Sequence, residues 1–367
     1  MSKRVRMLRA ADAEVVVLGF SRQGSEARRI VDCETIDLGR THNARFAQRA
    51  MSVVGQILSV GRHADALRGA DVYLARNLEM LAIAAAARRR FGRGVGLVYE
   101  CLDIHRLMLR ADLIGAGMRW LERTLAAKAG LLVVSSPAFL KAYFEPRQGL
   151  GRDWSIPVLL QENKVFEAGS SRSHSAPLAP PPAPPWRIAW YGAIRCAKSL
   201  DFLHALAERR PDLVEIEIRG IPSLNEFENF EGSTCDLPNL TFGGPYGPDD
   251  LARLYGAAHF AWAIDYFEEG ANSTWLLPNR VYESNLFGAT PIALADVETG
   301  AWLKGHGLGV VLNNLADIEG FLAGLTPDAY ATLVAANRRA PRTTFVSDLA
   351  ECVRLAEALK GAAPCPA

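Results

Sequence analysis

Long hydrophobic runs are missing from this chain of 367 residues. No stretch approaches the ~18 uncharged apolar residues that a membrane span needs, so a soluble protein is expected. An excess of one charge is missing too: 41 Lys and Arg stand against 40 Asp and Glu. Nothing in that balance marks a nucleic-acid binder. The six cysteines, Cys33, Cys101, Cys196, Cys235, Cys352 and Cys365, lack the paired close spacing of a zinc site or a disulfide scaffold, so reduced thiols are expected. The basic stretch at residues 1–10 lacks the apolar segment of a secretory signal, and the expected location is the cytoplasm.

What is present is a globular composition, 49% hydrophobic and 22% charged, on a length suited to two domains of about 150 to 200 residues. The clearest break is "SSRSHSAPLAPPPAPPW", residues 170–186, whose proline run sustains neither a helix nor a central strand. It reads as a semi-rigid linker, with a ligand for a partner domain as the alternative. The expected organisation is a first lobe over 1–169, the linker, a second lobe over 187–345, and a C-terminal helix and tail over 346–367.

In both lobes short apolar runs alternate with helix-period segments, which predicts α/β architecture: parallel strands with crossover helices, doubly wound. Strands are expected at 14–19, 71–77, 95–103, 130–136 and 156–163, then at 187–192, 213–220, 239–244, 259–265, 290–294 and 309–312. Helices are expected within 44–67, in an Ala/Arg-rich stretch up to Arg90 and near 113–128, then at 199–209, 248–256 and 279–287. Two such Rossmann-like lobes are expected to face a cleft, where ligands of open parallel sheets bind.

A dinucleotide fails the first test, because the compact glycine cluster "GRGVG" at 92–96 precedes a strand instead of following one. P-loop, His-Glu-x-x-His and Gly-x-Ser-x-Gly patterns are absent. Acid-x-acid triplets at 12–14 and 32–34 are common by chance, and no metal site is expected.

The stretch "WYGAIRCAKSLDFLHAL", residues 190–206, turns at Gly192 after a strand and sets Arg195 and Lys198 at the start of a helix. Backbone donors and two cations there suit phosphate; on residue type alone, two solvated side chains of an exposed turn remain the alternative. Some eighty residues on comes "PNRVYESNLFGATPI". An ionised carboxylate such as Glu283 accepts from two vicinal hydroxyls, but a glutamate near a helix start behind Pro278 is also stabilised by the macrodipole alone.

Taken together the two stretches resemble the second lobe of GT-B glycosyltransferases, in the family 4-like, exopolysaccharide-biosynthesis branch. Gly192 and Lys198 match the glycine and lysine of that family's diphosphate-binding turn; Ala193 stands in its arginine place, with Arg195 two residues on. Asn279, Arg280, Tyr282, Glu283, Gly288 and Pro291 match its Asn-Lys-x-Tyr-Glu helix and Gly-x-Pro strand. The resemblance implies that Gly192, Arg195, Lys198, Asn279, Arg280, Tyr282 and Glu283 bind the donor, Glu283 through the ribose hydroxyls. Trp275 occupies the place of the first glutamate of the Glu-x7-Glu form; Glu268 and Glu269 lie upstream of it, beside the polar loop of Asn272, Ser273 and Thr274.

In the first lobe "YECLDIHRL", residues 99–107, puts Asp103 and His105 past a strand end, where a general base or an acceptor-positioning group is expected. The alternative is an aspartate capping the next helix and a histidine packed at the strand end. Asn163 matches the exit of the family's first lobe. Arg4, Arg6 and Arg9, the stretch "ARRRFGRG" (87–94) and "HRLMLRADLIGAGMRW" (105–120) form basic and apolar clusters suited to an anionic membrane face, or to ordinary solvated helices.

By this resemblance the chain transfers a sugar from a nucleotide-sugar donor to a lipid-linked glycan acceptor in polysaccharide assembly. It works in the cytoplasm or at the inner face of the cytoplasmic membrane, in peripheral contact with it. It needs no bound metal or other cofactor, the nucleotide-sugar being a substrate, and it has no nucleic-acid partner. A non-catalytic nucleotide-sugar-binding regulator and a nucleotide-sugar epimerase of the same architecture are the alternatives.

Overall fold

Strand β4 (Gly96–Cys101) shows how the first unit is put together, because all six of its residues are buried and alternate between two covered faces. A computed structural model describes residues 2–22, 33–41, 46–92, 94–167, 180 and 184–362 of the chain; of the expected linker only residues 180 and 184–186 are among them. Contacts divide the chain into one unit of Met1–Glu162, Phe166–Gly169 and Ser347–Ala367, and a second of Asn163–Val165 and Ser170–Val346.

In the first unit β1 (Val16–Arg22) and β2 (Glu34–Thr41) pair in parallel as a two-stranded ribbon. The strands β3 (Val72–Arg76), β4, β5 (Leu131–Val134) and β6 (Val158–Leu160) form a parallel sheet in that order. Sequential order with right-handed crossovers puts the connecting helices, Asn77–Phe91 and Leu113–Ala126, on one face. The chain's two ends close the other. Helices Ser2–Ala10 and Leu349–Lys360 bring Met7, Leu8, Cys352, Leu355 and Leu359 against Val98, Leu131 and Val133. Strand β2 is absent from the sequence expectations because in "ETIDLGRT" only Ile36 and Leu38 are apolar, too few to raise a strand signal.

The alternation in β4 sends Glu100 toward the terminal helices. There Arg4 Nε donates to its Oε1 at 2.8 Å and Arg76 Nε to its Oε2 at 2.5 Å. Arg4 is therefore buried, which corrects its expected place in a solvated basic cluster. Arg6 lies over the Phe166 ring at 5.7 Å, and buried Arg88 donates to the Lys128 carbonyl at 2.7 Å. Arg4 and Arg88 thus hold structure, while Arg6 stays exposed. Tyr99 points to the opposite face, where its hydroxyl donates at 2.7 Å to Glu122, a carboxyl with no exposed surface that also accepts from Tyr143 and Gln148.

The second unit is a six-stranded parallel sheet of β7 (Trp186–Ile194), β8 (Val214–Pro222), β9 (Leu240–Phe242), β10 (Phe260–Trp262), β11 (Thr290–Leu294) and β12 (Val310–Leu312). Its spatial order is β9-β8-β7-β10-β11-β12, the doubly wound order in which the direction of winding reverses between β7 and β10. Large side chains crowd one face: Trp186, Trp190, Ile216, Ile218, Phe260, Trp262 and Ile292. The other face carries small ones, Ala189, Ala261, Ala263 and Ala293, under Val281, Tyr282 and Phe287. Small residues let the Asn279–Phe287 helix approach the sheet closely. That helix ends at Gly288, which takes the left-handed conformation at φ +97° and donates its N–H to the Ser284 carbonyl.

Candidate functional site

Open α/β sheets bind ligands outside the carboxyl ends of the strands where the winding reverses, here the ends of β7 and β10. Two glycines shape the first of these. Gly192 pairs with Gly220 across β7 and β8, and a Cβ on Gly220 would lie 1.8 Å from the Gly192 carbonyl oxygen. Gly192 itself has φ +129°, with nothing within 4 Å of the place where a Cβ would point, so its outer side is open. The expected turn at Gly192 is not there: pairing with β8 carries the strand on to Ile194, and the chain turns at Arg195 and Cys196.

The helix Ala197–Arg209 starts at once, and Cys196 gives no side-chain cap to its first amides. Instead the Cys196 thiol donates to Ser199 Oγ at 3.2 Å and accepts from the Tyr266 N–H at 3.2 Å, tying the helix start to the chain leaving β10. Both predicted cations meet that same chain. Arg195 lies 3.7 Å from Asp265 and 4.6 Å above the Phe267 ring. Lys198 meets both Glu269 oxygens, at 3.1 and 3.2 Å, and stands 3.8 Å from the centre of the Tyr266 ring.

The polar loop has its own bonding. Ser273 Oγ accepts from the Glu268 N–H at 2.9 Å, Thr274 Oγ1 from the Gly270 N–H at 3.1 Å, and Asn272 Nδ2 donates to Glu268 at 2.6 Å. Asn272, Ser273 and Thr274 thus hold the loop that presents Glu269. This is the turn chemistry such residues ordinarily supply.

On the Asn279–Phe287 helix the matched residues separate by face. Asn279 is exposed at the first helical position, and Pro278 precedes it as N-cap. Tyr282 has no exposed surface and packs edge-on against Trp302 with ring centres 5.2 Å apart, so it holds the helix to the core and has no surface for a donor. Arg280 and Glu283, three residues apart, share a half-buried face. Arg280 Nη1 donates to the Trp262 carbonyl at 3.3 Å, at the carboxyl end of β10. Burial, and after it the Glu283 carboxylate, pushes the Tyr246 and Tyr255 hydroxyls up, which sets Glu283 beside the chain leaving β9. The first helical turn holds no acid. Glu283 lies beyond it, where the macrodipole fades, so stabilisation of a helix start does not account for it.

In the first unit Asp103 is exposed past the end of β4. His105 Nδ1 accepts from the Leu107 N–H at 3.2 Å and caps the turn Arg106–Leu109. Burial pushes its imidazole down, in keeping with an accepting, neutral Nδ1. The next helix is capped by Asp112, which accepts from the Gly115 N–H at 3.0 Å, and not by Asp103. Asn163, matched at the exit of the first lobe, donates to the Leu277 carbonyl at 3.2 Å.

Asp265, Tyr266, Phe267 and Tyr246 are residues at this edge that sequence reasoning did not single out. For Asp265 the signal was available, an acid closing a buried apolar stretch. For the three aromatics there was none.

Chemically, two cations at a helix start can take the charge of a diphosphate, and a half-buried carboxylate on the Asn279–Phe287 helix can accept from a diol. Sequence models of known protein families give no match. The succinoglycan biosynthesis protein ExoL of Rhizobium meliloti is 43% identical over 364 residues, 97% of this chain and 89% of that protein. A sucrose-phosphate synthase from Thermosynechococcus elongatus superposes with TM-score 0.69 at 15% identity, over 96% of this chain and 90% of that one. HepE from Anabaena, solved in complex with UDP, does so with TM-score 0.64 at 14% identity, over 98% and 95%. The chain therefore belongs to the family of the succinoglycan biosynthesis protein ExoL, and its fold is the GT-B fold of these solved structures.

Proposed function

We propose that the chain is a glycosyltransferase in exopolysaccharide assembly, its donor a nucleoside-diphosphate sugar held at the carboxyl edge of the second unit's sheet and its acceptor a hydroxyl of a growing lipid-linked glycan. The placement of Arg195, Lys198 and Arg280 around the carboxyl ends of β7 and β10, with Glu283 three residues after Arg280 on the same helix, carries this reading. Glu283 accepts from the ribose hydroxyls, with Asn279 and Arg280 at the same helix start. The open side of Gly192 lets the phosphates approach the backbone. As the bond from the sugar to the diphosphate breaks, the electron pair leaves with the diphosphate, whose growing charge Arg195 and Lys198 stabilise without a bound metal or other cofactor. The acceptor hydroxyl loses its proton to Asp103 as its oxygen bonds the sugar, and His105 braces the turn beside it.

The test is thermal stabilisation by UDP, GDP, ADP and CMP, followed by turnover of the corresponding sugars. One nucleotide is expected to shift the wild type, and Asp103→Asn to keep that shift while losing at least about 100-fold in rate, the usual weight of a general base. No shift with any nucleotide, or turnover untouched in Asp103→Asn, would sink the respective assignment.

Contact with an anionic membrane belongs to the same proposal. Among the described residues no helix is long and apolar enough to cross a membrane. On the first unit, however, helix Leu113–Ala126 exposes Leu113 (90%), Ile114, Trp120 (61%) and Leu121, and helix Phe46–Leu58 exposes Met51, Val54 and Leu58. From His105 to Asp153 eight Arg and Lys stand against four Asp and Glu, one of them the buried Glu122, so the segment that carries Leu113 and Trp120 has an excess of basic residues. Wild-type protein should sediment with anionic vesicles, and the Leu113→Ser/Trp120→Ser variant should bind them at least about 10-fold more weakly. Equal binding by the two proteins would remove this surface.

A further inference from the structure

The two cations assigned to the donor diphosphate are already engaged by one five-residue segment, Asp265–Glu269, which gives each of them a carboxylate and an aromatic ring. Arg195 has Asp265 and Phe267; Lys198 has Glu269 and Tyr266. The two carboxylates are not equivalent. Asp265 is covered, its side chain 7% exposed, and accepts from the Phe267 N–H at 2.8 Å. Glu269 is 60% exposed on a backbone pinned by the bonds of Glu268 to Ser273 and Gly270 to Thr274. Its side chain can swing away from Lys198 without the loop moving.

A phosphate and a carboxylate cannot both sit on one ammonium without repelling each other. We infer that Glu269 is an internal anion seated on the donor-diphosphate lysine, which an incoming nucleoside diphosphate displaces and which returns as the product diphosphate leaves. It is an affinity-setting residue: it weakens the hold on the diphosphate and hastens product release, while Asp265 stays in place to orient Arg195. The inference rests on the proposed donor site.

The experiment compares wild type, Glu269→Gln and Lys198→Ala in calorimetric titrations with UDP, GDP and ADP and with the corresponding monophosphates. An exposed ion pair contributes about 0.2–1 kcal/mol, so Glu269→Gln should bind the preferred diphosphate about 1.5- to 5-fold more tightly, with affinity for the monophosphate unchanged. A merely structural pair would not separate the two ligands. If Lys198→Ala loses diphosphate affinity while Glu269→Gln binds it as the wild type does, or more weakly, the inference is overturned and the donor site stands. If no diphosphate binds the wild type, or Lys198→Ala binds it undiminished, the donor site falls and the inference with it. Glu269→Gln keeps size and shape at an exposed position, so an unchanged melting temperature is expected of the free protein.

Discussion

Glu283→Ala is expected to abolish the thermal shift produced by the preferred nucleotide and to lower kcat/KM at least about 100-fold. Hydrogen bonds to a charged group contribute about 1.5–3 kcal/mol each, and the ribose offers two hydroxyls. The free protein should melt within a few degrees of the wild type, because the helix is anchored by Val281, Tyr282 and Phe287 and not by the half-exposed Glu283. Glu283→Gln, which keeps the shape and removes the charge, should fall between the two. A nucleotide shift that survives in Glu283→Ala would refute the ribose assignment.

The largest stability effect is expected at Glu100. Its side chain is 1% exposed between Arg4 and Arg76, at 7% and 18%. Alanine there leaves two guanidinium groups facing each other with their shared carboxylate gone, which costs about 3–5 kcal/mol when a buried pair loses one partner. For a unit of this size that is a fall of roughly 10 °C in the melting transition of the first unit, read by calorimetry.

The pH dependence carries a sign. Burial alone would raise the Glu100 carboxyl, but Arg4 and Arg76 outweigh it and hold it below its ordinary 4.5. A depressed carboxyl stabilises the fold above its unfolded value, and that contribution is lost as the pH falls through the folded value. Wild type should therefore lose stability more steeply below pH about 4 than Glu100→Ala. Glu122 runs the other way. Burial raises it despite the donors Tyr143, Tyr99 and Gln148, so its contribution is full below the unfolded value and lost as the pH rises through the folded one. A Glu100→Ala protein with an unchanged acid limb would show that the triad is not what holds the terminal helix.

The strands and helices that place the site were legible because they sit in the middle of a doubly wound sheet. β7, β10 and β11 are near-continuous apolar runs, as strands covered on both faces must be, and β8 alternates buried Val214, Ile216 and Ile218 with charged residues. The helix at 279–287 falls at its expected residues, since Pro278 and Gly288 punctuate both ends. Elements near the edge of the first unit, such as β2, were less legible. The turn at Gly192 was misjudged for a related reason: a glycine reads locally as a break, whereas here its partner is another glycine, Gly220, on the next strand and 28 residues further along.

Residue types along the chain determined the α/β class, the run of alternating elements and the shortlist of charged groups at helix starts, because periodicity and punctuation are local. Which of those groups share a surface was decided only by the tertiary structure. Neighbouring residues of one helix point about 100° apart, so Tyr282 turned inward and Glu283 did not. Arg4, free by its sequence context, became buried because Glu100 lies 96 residues further along, on a strand whose alternation faces the first helix. Asp265 and Glu269 reached Arg195 and Lys198 because a parallel sheet aligns the carboxyl ends of β7 and β10, which some seventy residues of chain separate. Pairings across that distance depend on strand order, and strand order leaves no mark on local sequence.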